Sequence, residues 1–387
     1  MTETISKYKR IAFVSNSAWS VLNFRKDVIL HLIQLGYEVC VFAPEDENTA
    51  ELLKIGCSCE NIILDNKSSN PVKDLLFYVR LKRMYKKWKP QFVFHFVAKP
   101  NIYGTIAASS LNIPSVAVVT GLGYAFAQKN WLYWVVKKLY KFSLKKAVEV
   151  WFLNNEDATT FSIAKLVDIQ KVKVLAGEGI NTEYFKRSER VALMKDQPFE
   201  FLMSARLLKS KGIEVLADAS RILKKKNHQF VCRLIGFSEN HHPDSISLES
   251  LQKWQQEGLL IYSGYAKDVR TFLENADCFV FPSFYNEGVP RSLMEAASMG
   301  LPIITTNAKG CREVVIQEQT GYTCLPNDPF DLADKMEKML LLSESERLKM
   351  GETGRQWVAK KFEVSHTIRE YENVLNNFRA SLRTSFE

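Results

Sequence analysis

Short apolar runs alternate with amphipathic stretches of helical length along most of the chain. In the first half these runs are RIAFVSN (10–16), EVCVFAP (38–44), FVFHFVA (92–98), SVAVVTG (115–121) and EVWFLN (149–154). In the second half they are FEFLMSAR (199–206), FVCRLIG (230–236), LLIYSG (259–264), DCFVFPS (277–283) and LPIITTN (301–307). This alternation is typical of βα units that form a parallel sheet. It predicts an α/β protein with two doubly wound parallel-sheet domains facing a cleft, where a ligand should lie.

The boundary between the two domains is predicted where the periodicity breaks. Residues 177–198, GEGINTEYFKRSERVALMKDQP, are rich in glycine and polar residues and interrupt the strand and helix pattern. We therefore expect a first domain over residues 1–180 and a second over 181–365. The last amphipathic stretch, about 366–387, follows the second sheet and is expected to cross back to the first domain.

Two glutamates eight residues apart stand out in FPSFYNEGVPRSLMEAASMGLP (281–302). The preceding apolar run predicts a buried strand, and Pro290 with the apolar residues after it predicts a helix that ends at Gly300. Glu287 therefore lies in a loop at the carboxyl end of a strand, where open α/β sheets bind ligands, and Glu295 lies in the helix. Alternatively, either carboxylate complements a helix dipole or faces solvent.

Basic residues mark a second loop of the same predicted sheet. Arg206 follows one strand, and Lys211 precedes a helix. Two cations beside a helix N-terminus suit a diphosphate, although solvated basic residues in a βα loop are the alternative. Gly236 and Tyr265 lie in two further loops at strand ends. Nearby Asp268 is equally well explained as a helix cap.

Composition narrows the class of protein. The chain has 387 residues, of which 46% are hydrophobic and 25% charged, as in globular proteins. Its seven cysteines show no metal-ligand spacing, and no signal peptide or apolar run of about 20 residues is present. These features predict a cytoplasmic protein with reduced thiols.

Charge is divided unevenly along the chain. Residues 1–177 contain 24 Lys and Arg against 14 Asp and Glu, whereas the remainder contains 28 against 29. Much of the excess lies in 78–90 and in 129–152, where lysines recur at helical spacing among aromatic residues. Such a helix is typical of proteins that bind a membrane surface, and a solvated helix packed on a sheet is the alternative. Nucleic acid is a less suitable partner, because no recognition motif is present.

Residues 200–325 resemble the second domain of the retaining nucleotide-sugar glycosyltransferases of family 4, which have the GT-B fold of two Rossmann-like domains. The resemblance is carried by Arg206 with Lys211, the segment from Gly264 to Asp268, the Glu287 and Glu295 pair, and GCREVV (310–315). It implies that Arg206 and Lys211 hold the diphosphate, that Glu287 lies near the donor sugar, and that Glu295 binds the ribose. The adjacent loop would contact the donor through Asn286, Gly288, Val289 and Pro290.

The first domain is similar to a subgroup that builds bacterial surface polysaccharides on a polyprenyl-diphosphate carrier, including N-acetylgalactosamine transferases. The similar segment is HFVAKPNIYGTIAASSLNIPSVAVVTGLGYAF (95–126). The chain departs from the wider family in lacking a glycine-rich loop after its first strand and a histidine after SVAVVTG. Gly121 and Gly123 are expected to approach the donor through their backbone. His95 and Lys99 are candidates for acceptor contacts, and a core role is the alternative for His95.

The resemblance implies a cytoplasmic enzyme at the inner face of the membrane that transfers a sugar, with a UDP-sugar as donor and a lipid-carried saccharide as acceptor. The sequence has no Asp-x-Asp at a strand end, so we expect no metal and no other cofactor. A sugar-nucleotide epimerase or hydrolase and a non-catalytic sugar-nucleotide-binding protein share the fold and remain alternatives. A dinucleotide-dependent oxidoreductase is disfavoured, because SNSAWS follows the first strand in place of G-x-G-x-x-G.

Overall fold

The computed structural model describes residues 9–65, 70–121, 131–187, 198–238, 242–285 and 287–384. The chain divides into two compact units, one formed by Met1–Gly179 and Val364–Glu387 and the other by Ile180–Glu363. These limits differ by one or two residues from those expected from the sequence, and the C-terminal helix belongs to the first unit.

The first unit contains a seven-stranded parallel sheet in the order β3-β2-β1-β4-β5-β6-β7. Its strands are β1 (Arg10–Val14), β2 (Glu38–Ala43), β3 (Ser58–Asn61), β4 (Phe92–Phe96), β5 (Ser115–Val119), β6 (Glu149–Phe152) and β7 (Val172–Val174). The order reverses between β1 and β4, which is the position where doubly wound sheets leave a crevice at their carboxyl edge. The central strands are buried on both faces, which explains their continuous apolar runs.

Helices cover both faces of this sheet. They are α1 (Ala18–Gln34), α2 (Thr49–Lys54), α3 (Pro71–Trp88), α4 (Thr105–Ser109), α5 (Trp131–Leu144), α6 (Asn155–Ile163) and the C-terminal α13 (Val364–Thr384). A single π-helical turn, Pro100–Gly104, leads into α4. On one face, Tyr371 of α13 packs against Phe13, Phe94 and Trp151 of the sheet, with the Phe94 and Tyr371 ring centroids 4.6 Å apart. Burial of this aromatic cluster fixes the C-terminal helix to the first unit.

The second unit contains a six-stranded parallel sheet in the order β10-β9-β8-β11-β12-β13. Its strands are β8 (Phe199–Ser204), β9 (Phe230–Ile235), β10 (Ile261–Tyr262), β11 (Cys278–Phe281), β12 (Ile303–Thr306) and β13 (Gly321–Cys324). Its helices are α7 (Ile213–Lys225), α8 (Leu248–Gln256), α9 (Arg270–Asn275), α10 (Arg291–Ser298), α11 (Pro329–Leu341) and α12 (Glu344–Phe362). Here the order reverses between β8 and β11, so the loops after these two strands meet at one edge.

The predicted α/β class with two parallel sheets is confirmed. The ten predicted strands all form, whereas β3, β7 and β13 were not predicted. These three are edge strands of three or four residues. No residue of β3 or β7 is fully buried, and β13 contains Gly321 and Thr323, so none of them shows a continuous apolar run. All seven cysteines are free thiols, six of them buried. Among the described residues, no helix is long and apolar enough to cross a bilayer.

Candidate active site

The carboxyl edge between β8 and β11 brings Lys211 and Glu287 together. The loop after β8 ends in a short 3-10 turn, Lys209–Lys211, and the loop after β11 carries Glu287. Lys211 Nζ donates to Glu287 Oε1, and both side chains are about nine-tenths buried. The amine also lies 5.1 Å from the ring centroid of Tyr285 and 5.6 Å from that of Phe281. A buried ammonium with three donors can keep Glu287 and still donate to an anion that enters the edge.

Ser283 contacts the same oxygen of the Glu287 carboxylate as Lys211 does. Its hydroxyl lies 3.0 Å from Glu287 Oε1 and 3.2 Å from the carbonyl oxygen of Ser210. A hydroxyl has one hydrogen, so it donates to one of these acceptors at a time. Lys211 holds the Glu287 carboxylate before any ligand arrives, and Ser283 adds a second donor when its hydroxyl turns away from Ser210, which reduces the reorganisation that a bound sugar must cause.

Close backbone packing keeps these two loops in place. Gly212 has a left-handed backbone, with φ at +81°, and a Cβ there would lie 2.1 Å from the carbonyl oxygen of Pro282. Only glycine allows this approach, so the N-terminus of α7 sits directly against the end of β11. Lys211 precedes this helix start by two residues, and the N–H groups at the start of a helix suit a phosphate.

Glu295 lies one turn inside α10 and forms an ion pair with Arg291. Arg291 Nε donates to Glu295 Oε1 at 2.9 Å, and both side chains are mostly buried. Burial raises the pKa of the Glu295 carboxyl, the Arg291 guanidinium opposes this shift, and the negative charge of Asp268 adds to it. Asp268 itself pairs with Arg270 at 2.6 Å, and the Arg270 guanidinium stacks 4.0 Å from the Tyr184 ring centroid.

The other predicted donor contacts occupy the same unit. Gly236 follows β9 with φ at +152°, and a Cβ there would lie 1.7 Å from the Ala205 carbonyl oxygen, so the loops after β8 and β9 touch. Tyr265 is half exposed, and its ring packs edge-on against Phe237 with centroids 5.8 Å apart. Arg206 is half-buried directly after β8. Gly288, Val289 and Pro290 lead into α10, and Asn286 lies outside the described residues.

In the first unit, the structure places His95 in the core. It is a residue of β4 and is fully buried, with Nε2 2.9 Å from the Tyr85 hydroxyl and Nδ1 3.3 Å from Thr105 Oγ1. Burial lowers the pKa of His95 to about 3, so the ring is neutral at pH 7. This geometry supports the core alternative, because an acceptor has no access to a ring whose two nitrogens are already paired.

Lys99 follows β4, and its amine donates hydrogen bonds to residues of the same unit. Lys99 Nζ donates to Asp74 Oδ1 at 2.6 Å and to the Asp65 carbonyl oxygen at 2.7 Å, while Tyr103 donates to Asp74 Oδ2 at 2.8 Å. The cluster ties the π-helical turn to α3. Gly121 follows β5 with φ at +146°, a conformation that favours glycine, and Gly123 lies outside the described residues.

Helix α5 presents a basic and aromatic surface to solvent. Val135 and Phe142 are exposed, whereas Tyr140 and Leu144 are buried. Trp134 is 56% exposed and Phe142 is 54% exposed. Lys137 Nζ lies 5.4 Å from the Trp134 ring and Lys146 Nζ lies 5.1 Å from the Phe142 ring. The apolar rings therefore share the solvent face with the lysines.

Four residues of the second unit were not singled out by sequence reasoning. They are Ser283, which contacts Glu287, Arg291, which pairs with Glu295, and the pair Ser210 and Asp244, in which Ser210 precedes Lys211 and donates its N–H to the Asp244 carboxylate. Only the spacing of Arg291, four residues before Glu295, offered a signal, since such pairs face each other on a helix. Within the described residues, no group of three or more His, Cys, Asp or Glu is placed to hold a metal ion.

Comparison with known proteins agrees with this geometry. Residues 185–357 match the family model of the group 1 glycosyl transferases, and residues 10–154 match that of the glycosyl transferase 4-like proteins. A Campylobacter jejuni enzyme is 31% identical over 88% of this chain and 91% of its own length. The chain belongs to family 4 of the glycosyltransferases. The C. jejuni enzyme is the N,N'-diacetylbacillosaminyl-diphospho-undecaprenol alpha-1,3-N-acetylgalactosaminyltransferase.

Further relatives of this glycosyltransferase extend the comparison. An Escherichia coli UDP-Gal:alpha-D-GlcNAc-diphosphoundecaprenol alpha-1,3-galactosyltransferase is 28% identical, and the match covers 70% of each chain. Among solved structures, Anabaena HepE in complex with UDP superposes with a TM-score of 0.78 at 17% identity, covering 95% of this chain and all of that one. The structural likeness supports the GT-B fold, and the resemblance inferred from the sequence is confirmed.

Proposed function

We propose that this glycosyltransferase moves a hexose or N-acetylhexosamine from a UDP-sugar to a saccharide carried on polyprenyl diphosphate, with retention of anomeric configuration. The observation that carries the proposal is the contact between Lys211 and Glu287 at the edge between β8 and β11. Two relatives named for undecaprenyl-diphosphate-linked substrates, one of which also names UDP-galactose, support the choice of donor and acceptor.

The chemistry follows from the charge that develops at the leaving group. As the bond between the anomeric carbon and the diphosphate breaks, negative charge grows on the phosphate oxygens and the sugar becomes oxocarbenium-like. Lys211, Arg206 and the N-terminus of α7 stabilise that charge. The acceptor hydroxyl attacks on the face that the diphosphate leaves, and its proton passes to the departing phosphate. Glu287 orients the sugar and forms no covalent bond.

A donor panel tests this proposal. The purified protein is incubated with UDP-, GDP- and dTDP-sugars and a saccharide on a short polyprenyl diphosphate, and products are analysed by mass spectrometry and NMR. We expect transfer from a UDP-sugar, with the anomeric coupling constant of the new linkage matching that of the donor. Free sugar without acceptor would indicate a hydrolase, an isomerised donor an epimerase, and UDP-sugar binding without turnover a non-catalytic module.

The cationic site further suggests that transfer needs no metal ion. The charge of the diphosphate is matched by side chains and helix N–H groups, so activity should survive excess EDTA. Loss of activity that magnesium or manganese restores would refute metal independence without affecting the assignment of donor and acceptor.

The enzyme is further proposed to dock peripherally on the anionic inner face of the cell membrane, where a lipid-carried acceptor resides. The exposed rings of Trp134 and Phe142 on α5 lie among exposed lysines, as in helices that rest at a bilayer interface. The first turns of α3 add exposed Leu75 and Leu76, and α3 and α5 both pack against the π-helical turn. Each lysine near anionic lipid contributes about 1 kcal/mol to binding.

Vesicle binding tests the docking. Binding to anionic vesicles should weaken steeply as salt rises, because screening shortens the reach of the lysine charges. Changing Lys137, Lys138, Lys141, Lys145 and Lys146 to glutamine should abolish binding and leave transfer to a short soluble acceptor unchanged. As a matched control, Lys224, Lys225, Lys226, Lys349 and Lys360 of the second unit can be changed in the same way. Equal vesicle binding by the α5 variant and the wild type would refute docking through this helix.

A further inference from the structure

Asp244, in the loop between β9 and α8, is bound to the segment that carries Lys211. Its carboxylate accepts from the backbone N–H of Ser210 at 3.0 Å and from the Ser210 hydroxyl. Its carbonyl oxygen accepts from the N–H of Lys209 at 2.8 Å. Three hydrogen bonds therefore join Asp244 to Lys209 and Ser210, the two residues that precede Lys211. The loop between β9 and α8 thus fixes the backbone from which the Lys211 side chain extends.

Ser210 is also the point where the Lys211 and Glu287 segments meet. Its carbonyl oxygen accepts from the N–H of Phe284 at 3.0 Å and lies 3.2 Å from the Ser283 hydroxyl, which also reaches Glu287. The N–H and hydroxyl of Ser210 thus face Asp244, while its carbonyl faces the loop after β11. A shift of Ser210 would move the Lys211 amine relative to Glu287 and would remove a partner of Ser283 at the same time.

We propose that Asp244 is a positioning residue for sugar transfer: through Ser210 it holds the Lys211 amine where the diphosphate charge develops. The inference rests on the proposed function, because it takes Lys211 to act on the leaving diphosphate. In this proposal Asp244 acts only through Ser210 and makes no contact with the donor. Its contribution is geometric, and misplacement of a catalytic group by about 1 Å lowers rates by up to about 100-fold.

Two substitutions at Asp244 distinguish a role in positioning Ser210 from a role of its negative charge. Asp244→Ala should lower kcat about 10- to 100-fold and leave the acceptor KM unchanged. Asp244→Asn should restore most of kcat, because an amide oxygen in the place of Oδ2 still accepts from both the N–H and the hydroxyl of Ser210. Ser210→Ala removes only the hydroxyl contact and should have an intermediate effect. If Asp244→Asn were as impaired as Asp244→Ala, a positioning role would be overturned in favour of a role for the charge.

A matched control distinguishes positioning from general stability. Asp328 caps α11 and accepts from the N–H groups of Phe330 at 2.9 Å and Asp331 at 3.0 Å, in the same unit but on a helix without a site residue. Asp328→Ala should lower the thermal midpoint and leave kcat unchanged. Comparable losses of kcat in the Asp244 and Asp328 variants would show that both act through stability and would overturn the inference.

The decisive measurement is a double-mutant cycle with Lys211. Since Asp244 acts through Lys211, adding Asp244→Ala to Lys211→Ala should change kcat by less than about twofold, whereas an independent residue would lower it by the same factor in both backgrounds. Additive effects would overturn the inference. If Lys211→Ala alone had wild-type turnover, the diphosphate role of Lys211 would fail and the inference with it. If Lys211→Ala were impaired and Asp244→Ala were not, only the inference would fail.

Discussion

Polar residues lie within or after the strands of both units, but they make different kinds of contact. In the second unit, Lys211 and Glu287 come from the loops of two adjacent strands and pair with each other at the sheet edge. In the first unit, His95 lies within β4 and pairs with Tyr85, and Lys99 pairs with Asp74 of α3. The first pair joins the loops of two strands at the carboxyl edge of the sheet, where we propose that the donor binds, whereas the second set of contacts joins a strand, a turn and a helix within the first unit.

This difference predicts two kinds of mutational effect. A residue whose charge matters in the transition state should lower turnover with little loss of stability. A residue that satisfies a buried partner should lower stability and leave the turnover of the folded enzyme intact. Substitutions in the two units therefore test whether polar residues of the second unit act on turnover and those of the first unit on stability.

The largest effect is expected at Lys211. Lys211→Ala should lower kcat by about 10²- to 10³-fold, as removal of a preorganised donor to developing charge does elsewhere, and Arg206→Ala should act in the same direction. Lys209 is a matched control, since it lies in the same 3-10 turn but its side chain is exposed. Its amine makes only a long contact, 4.0 Å from Glu214 Oε1. Lys209→Ala should keep wild-type steady-state kinetics. Unchanged turnover in both the Lys211 and Arg206 variants would contradict the diphosphate assignment.

Lys99→Ala should lower the free energy of unfolding by about 2 kcal/mol. The substitution removes the ammonium partner of the mostly buried Asp74 carboxylate, and of the contacts described above only the Tyr103 hydroxyl then remains. Urea denaturation of this variant measures the change. The exposed pair between Lys73 and Asp65 is the control, and Lys73→Ala should cost less than about 1 kcal/mol. A Lys99 variant with wild-type stability but a raised acceptor KM would instead support the acceptor contact expected from the sequence.

The two units also differ in how far the sequence predicted them. The central strands followed from apolar runs, and the position of Lys211 and Glu287 at one sheet edge followed from their loops after strands, but the ion pair between them was not predicted. Asp244 and Ser283 carry no such signal, because a serine or aspartate in a loop is common and its partners depend on how the loop folds. For His95 the sequence left a core and an acceptor role open, and the Tyr85 hydroxyl that decides between them lies on a helix ten residues earlier.

Acid should destabilise the first unit through His95. The folded pKa, about 3, lies below the usual value of 6.5, so the unfolded chain binds the proton more readily. The neutral His95 ring contributes fully to stability above about pH 6.5, and this contribution is lost as the pH falls toward 3. The free energy of unfolding then decreases by up to about 1.4 kcal/mol per pH unit. His95→Gln, although less stable at pH 7, should show a flatter decline between pH 6 and 4 in urea denaturation. Parallel declines in the two proteins would show that His95 is not neutral in the core.

The smallest effect is expected at Glu295, where the two kinds of contact overlap. The ion pair with Arg291 is largely buried, and burial raises the pKa of Glu295, so part of its role is structural. If Glu295 also binds the donor ribose, that contact is equal in the ground and transition states, and Glu295→Ala should raise the donor KM about tenfold with kcat unchanged. Arg291→Met breaks the same ion pair but leaves the carboxylate in place, so it should raise the donor KM much less. Equal donor KM values in the two variants would assign Glu295 to structure alone and would place it with His95 and Lys99, among the polar residues that hold the fold together.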